Sequence, residues 1–175
     1  MTIFNDLYHD YPEMPYISKD RDLEEIRLSP KVPKRNMQRT QEGLLPGHII
    51  LLWRINFGTF TTETPFSKYF EYSYGIEAQK ELDHLITEGY VVIDSAQDSL
   101  AHLPASRLKV FLKERGLKGL SKMKRSDVDK AIKQSFSEEE LGRLFSIRGL
   151  SLTIKGQKAL TNHPEIIAKH PQKKF

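Results

Sequence analysis

The chain is 175 residues long with 38% hydrophobic residues, enough to build one ordinary domain or two small ones around a packed core, and not the composition of a disordered chain. Cysteine is absent, which excludes disulfides, thiolate chemistry and cysteine-based zinc sites. A formal net charge of +4 is too small to identify a polyanionic partner alone, so its distribution has to be followed along the chain.

Residues 1–45 carry seven Lys/Arg against eight Asp/Glu. Tyr8, Tyr11 and Tyr16 alternate there with Pro12 and Pro15, and the prolines interrupt every long period except a short helix expected near 20–28. This stretch is expected to be an N-terminal arm whose aromatics cover apolar surface on this chain, a second copy or a partner, the alternative being a loose terminus. It has no basic, apolar, small-residue leader pattern, and the longest apolar run, Ile49 to Trp53, is far short of a bilayer span. The expected setting is therefore cytoplasmic, with no membrane partner.

Residues 46–99 are acidic, with three Lys/Arg against eight Asp/Glu. Pro46 opens an all-round apolar segment to Asn56, which predicts a buried helix with proline in its first turn and leaves a strand as the alternative. A polar link over 58–64 leads to a short helix predicted over 65–70. Ala78, Leu82, Leu85 and Ile86 then mark a third helix, with Gly89 placed to end it, and Tyr90 to Ile93 reads as a strand.

Residues 100–135 hold ten Lys/Arg against three Asp/Glu, the one concentrated basic segment. From Ser106 to Arg115, an apolar stripe of Leu108, Phe111 and Leu112 is flanked by Arg107, Lys109, Lys113 and Arg115. Gly116 is placed to close that helix in the left-handed conformation, with Leu117 folding back on the stripe. The loop beyond delivers Lys118, Lys122, Lys124 and Arg125 to the start of a further helix bearing Lys130 and Lys133. Cations beside free helix N–H groups form a phosphate-binding surface. Ser126 with Asp129, and Ser137 with Glu140, have the spacing of capping boxes. Leu150 to Leu152 alternates as a strand, Thr153 is placed to cap a helix through Leu160, and 163–175 forms a basic tail.

The basic segment resembles the SAP motif, a two-helix DNA-binding module, through Leu103, Leu108-Lys109, Leu112, Gly116-Leu117, the basic loop and the Val128 to Ile132 helix. The family's glycine before the loop lysine is absent, with Lys122-Met123-Lys124 near that place. Its late arginine is replaced around Lys130-Ala131. Residues 53–175 also resemble proteins of Gram-positive bacteria and their phages in which such a module precedes a Leu-Thr-x-x-Gly stretch, here Leu152 to Gly156. Three helices followed by a strand resemble a winged helix. The expected fold is thus mainly α with a small β wing, in which a winged-helix-like body (46–99 plus 147–162) contains the helical module (100–146) as an insert in its wing. The third helix carries Glu77, Glu81, Asp83 and Glu88 against Lys80 alone, a face that phosphates would be repelled from.

The six histidines, at 9, 48, 84, 102, 163 and 170, form no i, i+4 metal pair. Gly116 to Gly119 lacks phosphate-loop spacing, Glu138 to Glu140 sit where a helix start favours acids, and no serine lies in a nucleophile elbow. The sequence leads to a non-enzymatic protein without cofactor or metal that binds DNA phosphates with little base specificity. The candidate contacts are Arg107, Lys109, Lys113, Arg115, Lys118, Lys122, Lys124, Arg125, Lys130 and Lys133. The rival expectation is a protein-interaction adaptor of a phage or mobile element that binds a partner, or a second copy, through residues 1–99.

Overall fold

A helix that is apolar on every side needs neighbours on every side, and α2 (Pro46–Asn56) has them. In the computed structural model, which describes residues 7–171, Ile49, Ile50, Leu51 and Leu52 of α2 are all fully buried. Around α2 pack α4 (Ala78–Thr87), α8 (Ile154–Thr161), α9 (Pro164–Lys169) and a 3-10 turn at Lys34–Met37. Pro46 occupies the first turn as expected. The cap is a histidine: the Leu45 N–H donates to His48 Nδ1 at 2.8 Å, and His48 Nε2 lies 2.8 Å from Glu81 Oε1 on α4. Both contacts are satisfied by the neutral ring protonated at Nε2.

The remaining elements are α1 (Leu23–Leu28), the single turn α3 (Tyr69–Tyr72), α5 (Ala105–Glu114), α6 (Arg125–Ser135) and α7 (Glu138–Leu144), with strands β1 (Val91–Ile93) and β2 (Leu150–Leu152). The protein is therefore mainly helical with one small two-stranded antiparallel sheet of β1 and β2. The chain divides into two units. The first comprises the chain up to Phe57, Pro65–Val92 and the chain from Leu152 onward, and the second comprises Gly58–Thr64 and Ile93–Ser151. These boundaries run at 92/93 and 151/152, where the sequence suggested 99/100 and 146/147.

In the first unit the arm lies on its own chain. Tyr8 is buried, the Tyr11 hydroxyl donates to Val32 O at 2.5 Å, and the Tyr16 N–H donates to Gly75 O at 2.7 Å. Arg21 pairs with Glu71 at 3.0 Å and Arg39 takes both oxygens of Glu13 at 2.6 and 3.0 Å. The arm's residues 1–6, and residues 172–175 of the expected tail, lie outside the described residues. The Leu-Thr-x-x-Gly stretch has a physical reason here. Thr153 Oγ1 accepts from the Gly156 N–H at 3.1 Å and donates to Gly89 O at 2.6 Å. A Cβ at Gly156 would stand 2.2 Å from Tyr90 O, so only glycine lets α8 come this close to the backbone.

The second unit has its own core, formed by Leu100, Leu103, Leu108, Leu112, Val128, Ile132, Phe136, Leu141 and Phe145 among others. The polar link at 58–64 is more than a link: Thr61 bridges Gly149, the Leu150 N–H donates to Phe60 O at 3.1 Å, and Phe60 is buried. Isolated alternation of only two or three residues left no period to read there. The helix expected over 65–70 is shifted: it runs over Tyr69–Tyr72, with Lys68 as its N-cap and Lys68 O accepting the Tyr72 N–H at 2.9 Å.

Candidate nucleic-acid interface

The ten candidate cations sit on α5, the loop 115–124 and α6, and the first question is what holds that loop. Helix α5 ends in a Schellman turn: Gly116 has φ +87°, its N–H donates to Lys113 O at 2.9 Å, and the Leu117 N–H reaches back to Leu112 O at 3.1 Å. Leu117, Leu120 and Met123 then pack against the second unit's core, and a 3-10 turn at Leu120–Lys122 spans them. The spacing of these three anchors turns Lys118, Lys122 and Lys124 outward, and all three are exposed. Leu120 and Met123 carry no periodic signal, so the charged loop is legible in the sequence and its apolar underside is not.

The start of α6 differs from expectation. The expected box of Ser126 and Asp129 is displaced by two residues: Lys124 takes the N-cap position and its N–H donates to Asp127 Oδ2 at 3.2 Å. Asp129 is occupied elsewhere, accepting from Arg125 Nε at 3.0 Å. The box at Ser137 and Glu140 on α7 forms reciprocally, at 3.1 and 3.0 Å. Glu138 receives the Ala96 and Gln97 N–H groups at 2.8 Å each, and the Gln97 bond foremost, then that from Ala96, holds its carboxyl below the usual range despite the opposing effect of burial.

The candidate cations fall into two kinds. Arg125 directs Nη1 to Leu103 O at 2.7 Å and Nη2 to Leu100 O at 2.6 Å, so its fork ties α6 to the turn at Gln97–His102. Arg115 donates to Ser135 O at 2.9 Å, pairs with Glu140 and covers the Phe136 ring at 4.3 Å. Arg107 lies 5.9 Å from the Phe111 ring centroid. Arg143 and Arg148, outside the candidate set, likewise bond to Glu139 and to the carbonyls of Phe145 and Ile147. In contrast, the ammonium groups of Lys109, Lys113, Lys118, Lys122, Lys124, Lys130 and Lys133 have no hydrogen bond or ion pair within the described residues. Lys109 and Lys113 stand one turn apart on the same flank of α5.

On α4 the acids Glu77, Asp83 and Glu88 are exposed, and Glu81 is committed to His48. Among the described residues no group of three or more His, Asp or Glu is arranged to hold a metal ion, and no helix is long and apolar enough to cross a membrane. No family model, curated protein or solved structure matches this chain.

Proposed function

We propose that the second unit binds DNA phosphates through its lysines, as a non-enzymatic cytoplasmic protein with little base specificity. One observation carries this reading: in the basic segment the guanidinium groups of Arg115 and Arg125 are bonded to protein carbonyls and carboxylates, while the ammonium groups of seven lysines have no hydrogen bond or ion pair among the described residues. A solvated cationic face usually keeps some carboxylates among its cations. Here Asp127, Asp129 and Glu140 are used in caps and arginine pairs, which leaves Glu114 on α5 as the exposed acid of the basic segment without such a bond among the described residues. Lysine is a point charge that positions phosphates without reading base edges, which supports weak sequence preference.

The SAP resemblance gains support from the packing of Leu103, Leu108, Leu112, Leu117, Val128 and Ile132 on one core. The winged-helix reading gains support from the order α2, α3, α4, β1 and β2 with β1 and β2 paired. In both readings α4 serves as scaffold, because Glu77, Asp83 and Glu88 repel phosphates. The contact set is accordingly Lys109, Lys113, Lys118, Lys122, Lys124, Lys130 and Lys133, with Arg107 at its edge and with Arg115 and Arg125 left out because they are bonded to protein groups.

Fluorescence anisotropy with two duplexes of unrelated sequence tests the proposal. Binding is expected to both at low salt, with affinities agreeing within about threefold and falling steeply as salt rises. No binding to either duplex at low salt overturns it.

A further inference from the structure

The first unit holds a groove of ≈ 520 Å³ between the Lys34–Met37 turn and α9, and a smaller cavity of ≈ 140 Å³ beside it. The two share four lining residues: Arg35, Pro46, Ile166 and Lys169. The larger one falls within the size range of small-molecule sites. Its other charged lining groups are already matched. Lys34 pairs with Asp10 at 3.4 Å, Arg39 with Glu13, and the one lining carboxylate, Glu165, lies 3.1 Å from His163 Nδ1. His163 also lies 2.7 Å from Glu42 on its other nitrogen. Burial disfavours a charge on His163, but the bonds to Glu42 and Glu165 outweigh it and raise the pKa above the usual histidine value.

After this matching, the exposed side chains of Arg35 and Lys169 have no hydrogen bond or ion pair among the described residues, though Glu165 is near enough to Lys169 to feel its charge, and both line the groove and the smaller cavity beside an apolar floor of Pro46 and Ile166. Two unmatched cations next to an apolar surface fit a ligand with a doubly charged head and an apolar or planar body. A phosphate monoester carries about −1.5 to −2 at neutral pH and accepts a guanidinium fork and an ammonium together. We propose that this groove binds an organic phosphate, the phosphate held between Arg35 and Lys169 and the body lying on Pro46 and Ile166. The site is separate from the lysines of the second unit and does not depend on them. Two sources share this chemistry: a free nucleoside monophosphate and the 5′-phosphate end of an oligonucleotide.

Calorimetric titration of the full chain with AMP, adenosine and inorganic phosphate tests the site. AMP is expected to bind at least about tenfold more tightly than adenosine, and Arg35→Gln or Lys169→Gln each to weaken AMP by about tenfold. Melting temperatures should stay close to the wild-type value, since neither side chain makes a hydrogen bond or ion pair among the described residues. AMP affinity should survive the Lys118→Gln, Lys122→Gln, Lys124→Gln variant, so loss of duplex binding and loss of AMP binding are separate results. A hexanucleotide compared with and without its 5′-phosphate identifies the source: a gain from the phosphate assigns a nucleic-acid end, and AMP binding without such a gain assigns the free nucleotide. Failure of both AMP and the phosphorylated oligonucleotide to bind, or equal AMP affinity in the Arg35→Gln, Lys169→Gln double variant, overturns the proposal.

Discussion

Helices α4 and α5 stop in the same way and are put to different uses. Gly89 and Gly116 have φ +84° and +87°, and the next residue reaches back in each case, Tyr90 to Leu85 O at 2.9 Å and Leu117 to Leu112 O at 3.1 Å. After Gly89 the chain runs into β1, and Tyr90 O accepts the Thr153 N–H at 3.1 Å. After Gly116 it runs into a loop whose apolar residues point inward and whose lysines point out. The backbone device ends a helix and aims the chain, and carries no information about a partner. What differs is the charge left over: on α4 one acid is consumed by His48 and the rest face water, whereas around α5 and α6 Arg115 and Arg125 are bonded to protein groups and the lysine ammonium groups have no such bond among the described residues.

That difference is open to attack from the arginine side. Arg125→Ala removes two carbonyl bonds and the Asp129 pair. It should lower the second unit's stability by about 2 kcal/mol, as expected for charge-assisted bonds whose loss leaves Leu103 O unmatched, while Leu100 O keeps the Leu103 N–H at 3.0 Å. Arg125→Lys should recover little, because an ammonium cannot span both carbonyls. Urea unfolding of the two variants measures this. Wild-type stability in Arg125→Ala would mean that the arginine is not a structural tie.

A smaller effect is expected on the acidic side, from His48. Burial, opposed by Glu81, lowers its pKa below the usual 6.5, so the unfolded chain binds the proton more readily than the folded one. The stability this contributes is complete above pH 6.5 and is lost as pH falls through the folded value. Protonation would also turn Nδ1 into a donor facing the Leu45 N–H. The urea midpoint of the first unit should therefore fall between pH 7.5 and 5.5. In His48→Gln, where the amide oxygen still accepts from the cap, the fall should shrink. His163 has the opposite sign, its raised pKa giving stability present below pH 6.5 and lost as pH rises through the folded value. An unchanged pH profile in His48→Gln would assign the dependence to other groups.

Helix positions were readable where an apolar period met a stop signal. Pro46 and Gly89 bounded α2 and α4 within a residue or two, and Thr153 marked the start of α8. Legibility failed where structure rests on tertiary partners. The turn at Gln97–His102 is held by Glu138 and Arg125 from distant positions, and the Thr61 bridge depends on Gly149. At the candidate site, composition gave the location of the basic segment correctly as a feature of the chain, but a sequence does not show which cations are already bonded. Arg115 and Arg125 look like their lysine neighbours until Ser135 O, Leu100 O and Leu103 O are seen beside them. Arg35 and Lys169 are far apart in sequence and were legible only once both lined one groove.

The division of labour between lysine and arginine is tested most directly by the salt dependence of duplex binding in two variants measured side by side. Each phosphate contact contributes about 0.9 to the slope of log affinity against log salt. Lys118→Gln, Lys122→Gln, Lys124→Gln should flatten the slope by up to about three units, whereas Arg115→Gln, which removes a charge already paired with Glu140, should leave it at the wild-type value. An unchanged slope in the lysine variant, or an equal loss in Arg115→Gln, would contradict the account.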